Sequence, residues 1–444
     1  MLKKLVSCLL YKSMKNLIIL LILTLIFSCS NTDNDINKEI EQIEEIEIIP
    51  TSFTENVEVY NEELVHKGYV LAVYGNNDTS YLLDKGGNII KEWPFDSNTG
   101  NDVELLTNGK LIGIFKIDNP PFTFGGYGGV IKILNIDGVV EWEYTFDTSL
   151  GLAHHDVEML PNGNVLFLVW EEVDNITAQN NGAITTNNIY PEALIEVNPK
   201  TNNIEWEWHS KDHFIQDTNT NALNFGNVSE NPQLIDINYN VVPNGDIMHA
   251  NGINYDPNKD VIYLSVNFYD EVWVIDHSTT STQAALHTGG NYNKGGDLLY
   301  RFGNPEAYKN SFGTRLFYNN HTPELLKNDV PGAGNFLIYN NGNNNSQSIV
   351  YELEIPDSFN LLPNSNNEPP VVWSFSNPDL HYQRVSGADR LPNGNTLICE
   401  GDYGFWEVTI DGEIVWKYAT LSLDILWRGY GFSGNNDGIL NLDL

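Results

Sequence analysis

A unit that returns six times constrains this chain more than any other feature. From about residue 65 it runs as a turn, an apolar strand, a second alternating strand, and a stretch ending near a tryptophan. The first copy is GYVLAVYGNNDTSYLLDKGGNIIKEW. LTNGKLIGIF with GGVIKILNIDGVVEWEY, and LPNGNVLFLVW with EALIEVNPKTNNIEWEW, are the second and third. DVIYLSVNF with EVWVIDHST, GNFLIYNNG with SIVYELEIPD and VVWSF, and LPNGNTLICEG with GFWEVTIDGEIVWKY complete the set. The strands are rich in Val, Ile, Leu, Tyr and Trp at period two. Asn-Gly and Asp-Gly supply the positive φ of tight hairpins. No stretch after residue 64 has helical periodicity. Short strands in copies of about four predict an all-β, six-bladed β-propeller over residues 65–444. The C-terminal GYGFSGNNDGILNLDL is predicted to return and close the ring against the first copy. A pair of β-sandwiches is the alternative, but no break in composition marks a boundary.

Three of the ten histidines fall at one place in the repeat. His155 leads HDVEMLPNGNVLFL, His249 leads HANGINYDPNKDVIYL, and His321 leads HTPELLKNDVPGAGNFLIY. The matching place holds Asn101 and Asp102 in copy two. In copy six it holds Ser386 and Gly387, with Arg384 just before. The rotation of a propeller brings equivalent positions round one axis, so the three histidines are expected at one mouth of the channel. His154 is expected to point away, because strand neighbours alternate. His66, His209, His213, His277, His287 and His381 share no position and read as structural or surface residues. Three convergent histidines suit covalent and acid–base chemistry, or a metal such as zinc if their spacing is close. No carboxylate motif accompanies them, which favours catalysis.

Residues 1–28 form a separate object. Lys3, Lys4, Lys12 and Lys15 precede an apolar run from Leu17 to Phe27, the pattern of an export signal too short for a membrane span. The Ser28-Cys29 junction resembles a lipoprotein processing site, with Met14 as an alternative start. An uncleaved anchor or a plain secretory signal is the competing reading. Residues 29–64 then read as an acidic tether holding an exported lipoprotein through a lipid on Cys29, at the periplasmic face or the cell surface. Removing the signal takes four of the 23 basic residues and no acid, leaving 19 against 59, a balance of −40. That field repels phosphate backbones, so nucleic acid is excluded as a partner. An anionic substrate must instead meet a local cationic pocket. Cys8 lies in the signal and Cys29 is the lipid site, so Cys399 in TLICEG is the one cysteine left to the propeller. It cannot form an internal disulfide and reads as a packed core thiol.

The Gly-rich PPFTFGGYGG, residues 120–129, lacks the lysine and helix of a phosphate loop. It reads as a loop with aromatics that could lie over the channel mouth. GGDLLYRFGNPEAY, residues 295–308, places Arg301 after Tyr300, where packing against a blade edge competes with a role in the site.

HHDVEMLPNGN, HANGINYDPNKDVIYLSVN, NNHTPELL with GNFLIYNNG, and RVSGADRLPNGNTLICEG together resemble the bacterial arylsulfotransferase family. These arylsulfate sulfotransferases use no nucleotide donor. The resemblance runs over residues 65–444 and implies a six-bladed propeller. It implies transfer of a sulfuryl group from a phenolic sulfate ester to a phenolic acceptor, through a sulfurylated histidine with ping-pong kinetics. The family's nucleophile falls on His321, and its assisting histidines on His155 and His249. The family arginine after the next strand is replaced here by Asn267. Arg301, Arg384 and Arg390 are candidates for the missing cation.

The chemistry is coherent in its own terms. Sulfuryl transfer, like phosphoryl transfer, depends on in-line positioning and electrostatics. A neutral imidazole is the nucleophile, a second histidine handles the phenol proton, and a third histidine, Asn267 or an arginine meets the sulfonyl oxygens. No metal, nucleotide or other cofactor is required. Two other readings stay open: a non-catalytic propeller that binds a ligand or protein, and a hydrolase or lyase using the histidines as acid and base.

Overall fold

Six antiparallel sheets of four or five strands carry the chain, and strand order within each follows a simple meander. The structure is a computed structural model and describes residues 46–148, 151–420 and 425–444. The leader, Cys29 and the first part of the acidic tether lie outside these residues. Blade 1 holds Tyr69–Tyr74, Thr79–Asp84 and Ile89–Pro94, with Leu426–Phe432 as its innermost strand. Blade 2 runs Thr99–Leu105, Leu111–Lys116, Gly129–Leu134 and Val140–Thr145. The innermost strands of blades 3 to 6 are Gly151–Met159, Ala250–Asp256, Asn320–Leu325 and Gly387–Arg390. Neighbouring innermost strands touch one another round the axis. This is a six-bladed β-propeller, as the repeat predicts. The C-terminal segment closes the ring as expected, with Tyr69 opposite Phe432 and Ala72 opposite Gly429.

The composition of each strand follows from its place in the blade. Second strands are covered on both faces by adjacent blades, so YVLAVY and VIYLSV are buried at every position. Continuous apolar runs are what two-sided burial demands. Outer strands have one wet face, and VEWEYT alternates between exposed and half-buried. The tryptophan that ends five of the six copies has a shared task. Trp93 Nε1 donates to Ile136 O at 2.9 Å, Trp142 to Asn202 Oδ1 at 2.9 Å, and Trp206 to Thr279 Oγ1 at 3.1 Å. Trp373 donates to Ile410 O and Trp416 to Lys85 O, both at 2.8 Å. Each bond joins the outer strand of one blade to a turn of the next. At the remaining junction the Tyr300 hydroxyl donates to Asn367 O. The indole thus fills the gap between blades with apolar surface and spends its one donor on the neighbour.

Two features depart from the sequence reading. Val57–Tyr60, within the segment read as tether, adds a fifth strand to blade 6 by pairing with Ile414–Ala419. A four-residue edge strand flanked by acids carries too little pattern to be recognised alone. Short helices at Asn175–Asn180, Ser281–Ala284 and Asp437–Leu440 interrupt the strands. They are under two turns long, so periodicity cannot show them. Cys399 is buried in the core, as expected of a packed thiol. Among the described residues no helix is long and apolar enough to cross a membrane.

Candidate active site

The innermost strands are bulged where the histidines sit. Register slips between His154 and Val157, between Ala250 and Gly252, and between His321 and Glu324. His155, His249 and Thr322 adopt positive φ of 54°, 50° and 54°. A non-glycine residue held there costs on the order of 1–3 kcal/mol and persists only where its surroundings enforce it. A bulge re-aims a side chain that the pleat would send elsewhere. Here it turns successive blades' imidazoles toward one another.

His155 and His249 meet edge to face at 4.8 Å between ring centroids. The Trp427 indole lies against His155 at 5.7 Å and His321 at 6.0 Å, joining the third histidine to the pair. His249 stacks on Phe268 at 4.6 Å. The structure therefore brings together the three histidines that the repeat aligns. Their nitrogens are not a close three-ligand set. Among the described residues the group near enough for a metal is elsewhere, at His213, His287 and Asp297.

Each imidazole has its own wiring. Asn341 donates through Nδ2 to the carbonyls of Tyr382 and Val385, so its Oδ1 must accept from His321 Nδ1, 2.6 Å away. That places the proton of His321 on Nδ1 and leaves a lone pair on Nε2, which accepts from Val385 N–H at 3.2 Å. Burial, assisted by the charges of His249 and Arg428, pushes His321 down to about 3, so the ring is neutral at ordinary pH. His249 Nδ1 meets Asp246 Oδ2 at 2.5 Å, an Asp–His dyad that supports acid–base work. His155 Nδ1 lies 2.8 Å from His154 Nδ1, and His154 Nε2 lies 2.8 Å from Glu192 Oε2. Burial pushes Glu192 up and both histidines down, which favours neutral partners throughout. With Glu192 protonated, the relay runs from its O–H through His154 and leaves an N–H on His155 Nε2.

The charge beneath these rings comes from Arg428, on the closing strand of blade 1. It is bound to Asp156 at 2.9 Å and Asp102 at 3.2 Å, and its Nε donates to Thr322 Oγ1 at 3.2 Å. One side chain so touches blades 2, 3 and 5. The sequence candidates lie otherwise. Arg301 is fully buried against Glu271 and the carbonyls of Pro232 and Leu234 on the outer part of blade 4. Arg390 is paired with Glu352 at 2.7 Å. Arg384 is exposed and donates to the Tyr382 hydroxyl, although the next residue, Val385, touches His321. Asn267 donates to Asn320 O at 3.1 Å and accepts from Asn319 at 3.0 Å, so it holds the backbone just before His321.

The Gly-rich loop lies on the site. His155 N–H donates to Gly126 O at 3.0 Å, and a Cβ at Gly126 would stand 2.2 Å from His155 Nε2. Phe122 and Phe124 of the same loop pack on Trp170 and Tyr190, while Trp170 stacks on His154 at 3.6 Å. His154, expected to point away, instead meets His155, and Glu192, Asp246, Asn341 and Arg428 were not singled out from the sequence. The one local signal was the doubled histidine, and the rest come from turns and strands far apart in the chain.

Fold and site together define a propeller with a buried histidine cluster at its axis. The arylsulfotransferase (ASST) family model matches residues 50–414, and the chain belongs to that family. No curated protein matches the chain in sequence. Among solved structures, a protein of unknown function from Bacteroides caccae is 12% identical, with a TM-score of 0.47, over 82% of this chain and 98% of that one. A putative 6-phosphogluconolactonase from Bacteroides fragilis is 10% identical, with a TM-score of 0.39, over 86% and 100%. A luciferin-regenerating enzyme is 11% identical, with a TM-score of 0.36, over 77% and 87%. Likeness at this level bears on none of the chemistry.

Proposed function

We propose that this arylsulfotransferase moves a sulfuryl group from a phenolic sulfate ester to a phenol through a sulfohistidine on His321. The carrying observation is the wiring of His321, a neutral ring whose Nδ1 proton is pinned by Asn341 and whose Nε2 keeps a lone pair, held by a Val385 N–H that must release it for attack. In the first half-reaction Nε2 attacks sulfur in line, the S–O bond to the aryl group breaks, and the phenolate takes a proton from His249. Asp246 stabilises the imidazolium form that supplies it. In the second, His249 takes the proton of the acceptor phenol, whose oxygen attacks sulfur as the S–N bond breaks. Once Nε2 bonds to sulfur, the Val385 N–H released from it is the donor this reading assigns to a sulfonyl oxygen. Val385 is β-branched yet held at φ 51°, strain consistent with a donor fixed in place.

The missing family arginine is compatible with this reading. Asn267 supports the His321 backbone, and Arg428 holds Thr322, the residue after His321. Because Asp102 and Asp156 offset Arg428, it acts mainly by position. The test is steady-state kinetics with 4-nitrophenyl sulfate and phenol. Parallel lines on double-reciprocal plots, with nitrophenol release that depends on acceptor, support the transferase. Acceptor-independent release would instead mark a hydrolase.

A further inference from the structure

Two of the histidines that share no repeat position, His213 and His287, converge on Asp297. His213 Nδ1 lies 2.9 Å and His287 Nδ1 2.7 Å from the same oxygen, Asp297 Oδ1. The three ligand atoms all fall within 4.8 Å of one another. His213 Nε2 is 2.8 Å from Ala284 O, and a carbonyl only accepts, so Nε2 carries the proton. Nδ1 therefore meets the carboxylate oxygen across either a second proton or a bound cation. An imidazole that donates its far N–H to a backbone carbonyl is the outer pattern of metal-bound histidine.

The surroundings are built to hold this geometry. Gly289, Gly290, Asn293 and Gly295 all take positive φ and fold the chain back so that Asp297 returns to His287. Gly296 packs so closely that a Cβ would stand 1.9 Å from Ala284 O and 2.5 Å from His213 Nε2. Trp208 lies parallel to His213 and donates to Gly296 O at 2.8 Å. His213 and Asp297 are buried, while the His287 side chain is 62% exposed, leaving an open side for exchange.

We propose that His213 Nδ1, His287 Nδ1 and Asp297 Oδ1 bind a divalent transition-metal ion of the zinc type. Two imidazole nitrogens and a carboxylate oxygen are borderline donors suited to Zn²⁺, with water in the fourth position. Tetrahedral binding at about 2.0–2.1 Å sets ligand atoms about 3.4 Å apart, so the two His–Asp pairs open by roughly 0.5–0.7 Å. The exposed His287 can supply the movement of its own pair, and a small shift of the Asp297 carboxylate the other. His213 follows the outer strand of blade 3, whereas His287 and Asp297 lie in the excursion before the outer strand of blade 4. The ion therefore fastens this excursion to the neighbouring blade.

The test uses untagged protein, stripped with chelator, titrated with Zn²⁺ and followed by elemental analysis after gel filtration and by thermal unfolding. Wild type and His321→Ala are expected to retain about one zinc per chain and to gain Tm with Zn²⁺. His287→Ala, at an exposed position that folding tolerates, and Asp297→Asn are expected to bind at least about tenfold more weakly and show no gain. Absence of retained zinc and of a Tm gain in wild type would overturn the proposal and leave a hydrogen-bonded triad. Equal retention by His287→Ala would overturn it too, and loss on His321→Ala would move the metal to the axial cluster.

Discussion

Gly126→Ala tests whether the Gly-rich loop and His155 act as one unit. The new Cβ would stand 2.2 Å from His155 Nε2, with two further ring atoms at 2.4 and 2.5 Å. Carbon needs about 3.5 Å of clearance, so ring or loop must give way by about 1.3 Å. Misplacing a reacting group by about 1 Å costs about 100-fold in rate, equal to about 2.7 kcal/mol of barrier. The substitution also places alanine at φ +81°, which costs about 1–2 kcal/mol of stability. Gly163→Ala separates the two effects. Its φ is +83° and a Cβ there meets nothing within 4 Å, so the strain is shared and the clash is absent. The assay is kcat/KM for 4-nitrophenyl sulfate with phenol, beside urea unfolding of each variant. Gly126→Ala is expected to lose about 100-fold in kcat/KM, and Gly163→Ala to stay within about twofold with a similar loss of stability. Activity of Gly126→Ala within about threefold of wild type would refute the coupling of loop and ring.

Three further outcomes follow from the wiring. Asp246→Asn removes the carboxylate hydrogen-bond partner of His249 and is expected to lower kcat by about 100–1000-fold, with folding intact by circular dichroism. Arg428→Met leaves Asp102 and Asp156 buried without their cation and is expected to cost about 3–5 kcal/mol in urea unfolding, with Arg428→Lys recovering part of it. Burial pushes Glu104 up to about 7 and Glu158 up to about 8, so both hold protons in the folded chain after the unfolded chain has released them. Their stabilisation is full below about pH 4.5 and falls as pH rises through 7 to 8. His321, pushed down to about 3, acts oppositely and removes stability as pH drops below about 6.5. In thermal scans across pH, Glu158→Gln is expected to flatten the fall in stability between about pH 4.5 and 8, by on the order of 5 kcal/mol at most, and to leave the acid side unchanged.

The propeller was legible because two-sided burial writes itself as continuous apolar runs such as VLFLVW, and because the Asn-Gly turns recur. His155, His249 and His321 were legible for a related reason, since a rotational repeat turns equal sequence positions into neighbours. Their partners follow no repeat. His154 was expected to point away, yet the bulge between His154 and Val157 breaks the alternation on which that expectation rests. Arg428 enters from a strand whose sheet partner, Tyr69–Tyr74, lies at the other end of the chain. The closing segment was recognised from Gly429 onward, one residue past it. Arg301 and Arg390 looked available because sequence does not show that Glu271 and Glu352 already hold them. Loop contacts such as Gly126 on His155 depend on backbone paths that no local pattern encodes.

The sulfohistidine is the central claim, and it can be trapped directly. Protein beginning at Ser30 is mixed with 4-nitrophenyl sulfate in the absence of any phenol acceptor, quenched, digested at neutral pH and read by tandem mass spectrometry. The account requires one sulfuryl group on the peptide carrying His321. It should be absent in His321→Ala and discharged when phenol is added before the quench. An unmodified His321 peptide from an enzyme that turns over donor and acceptor, or an adduct that persists in His321→Ala, would contradict it.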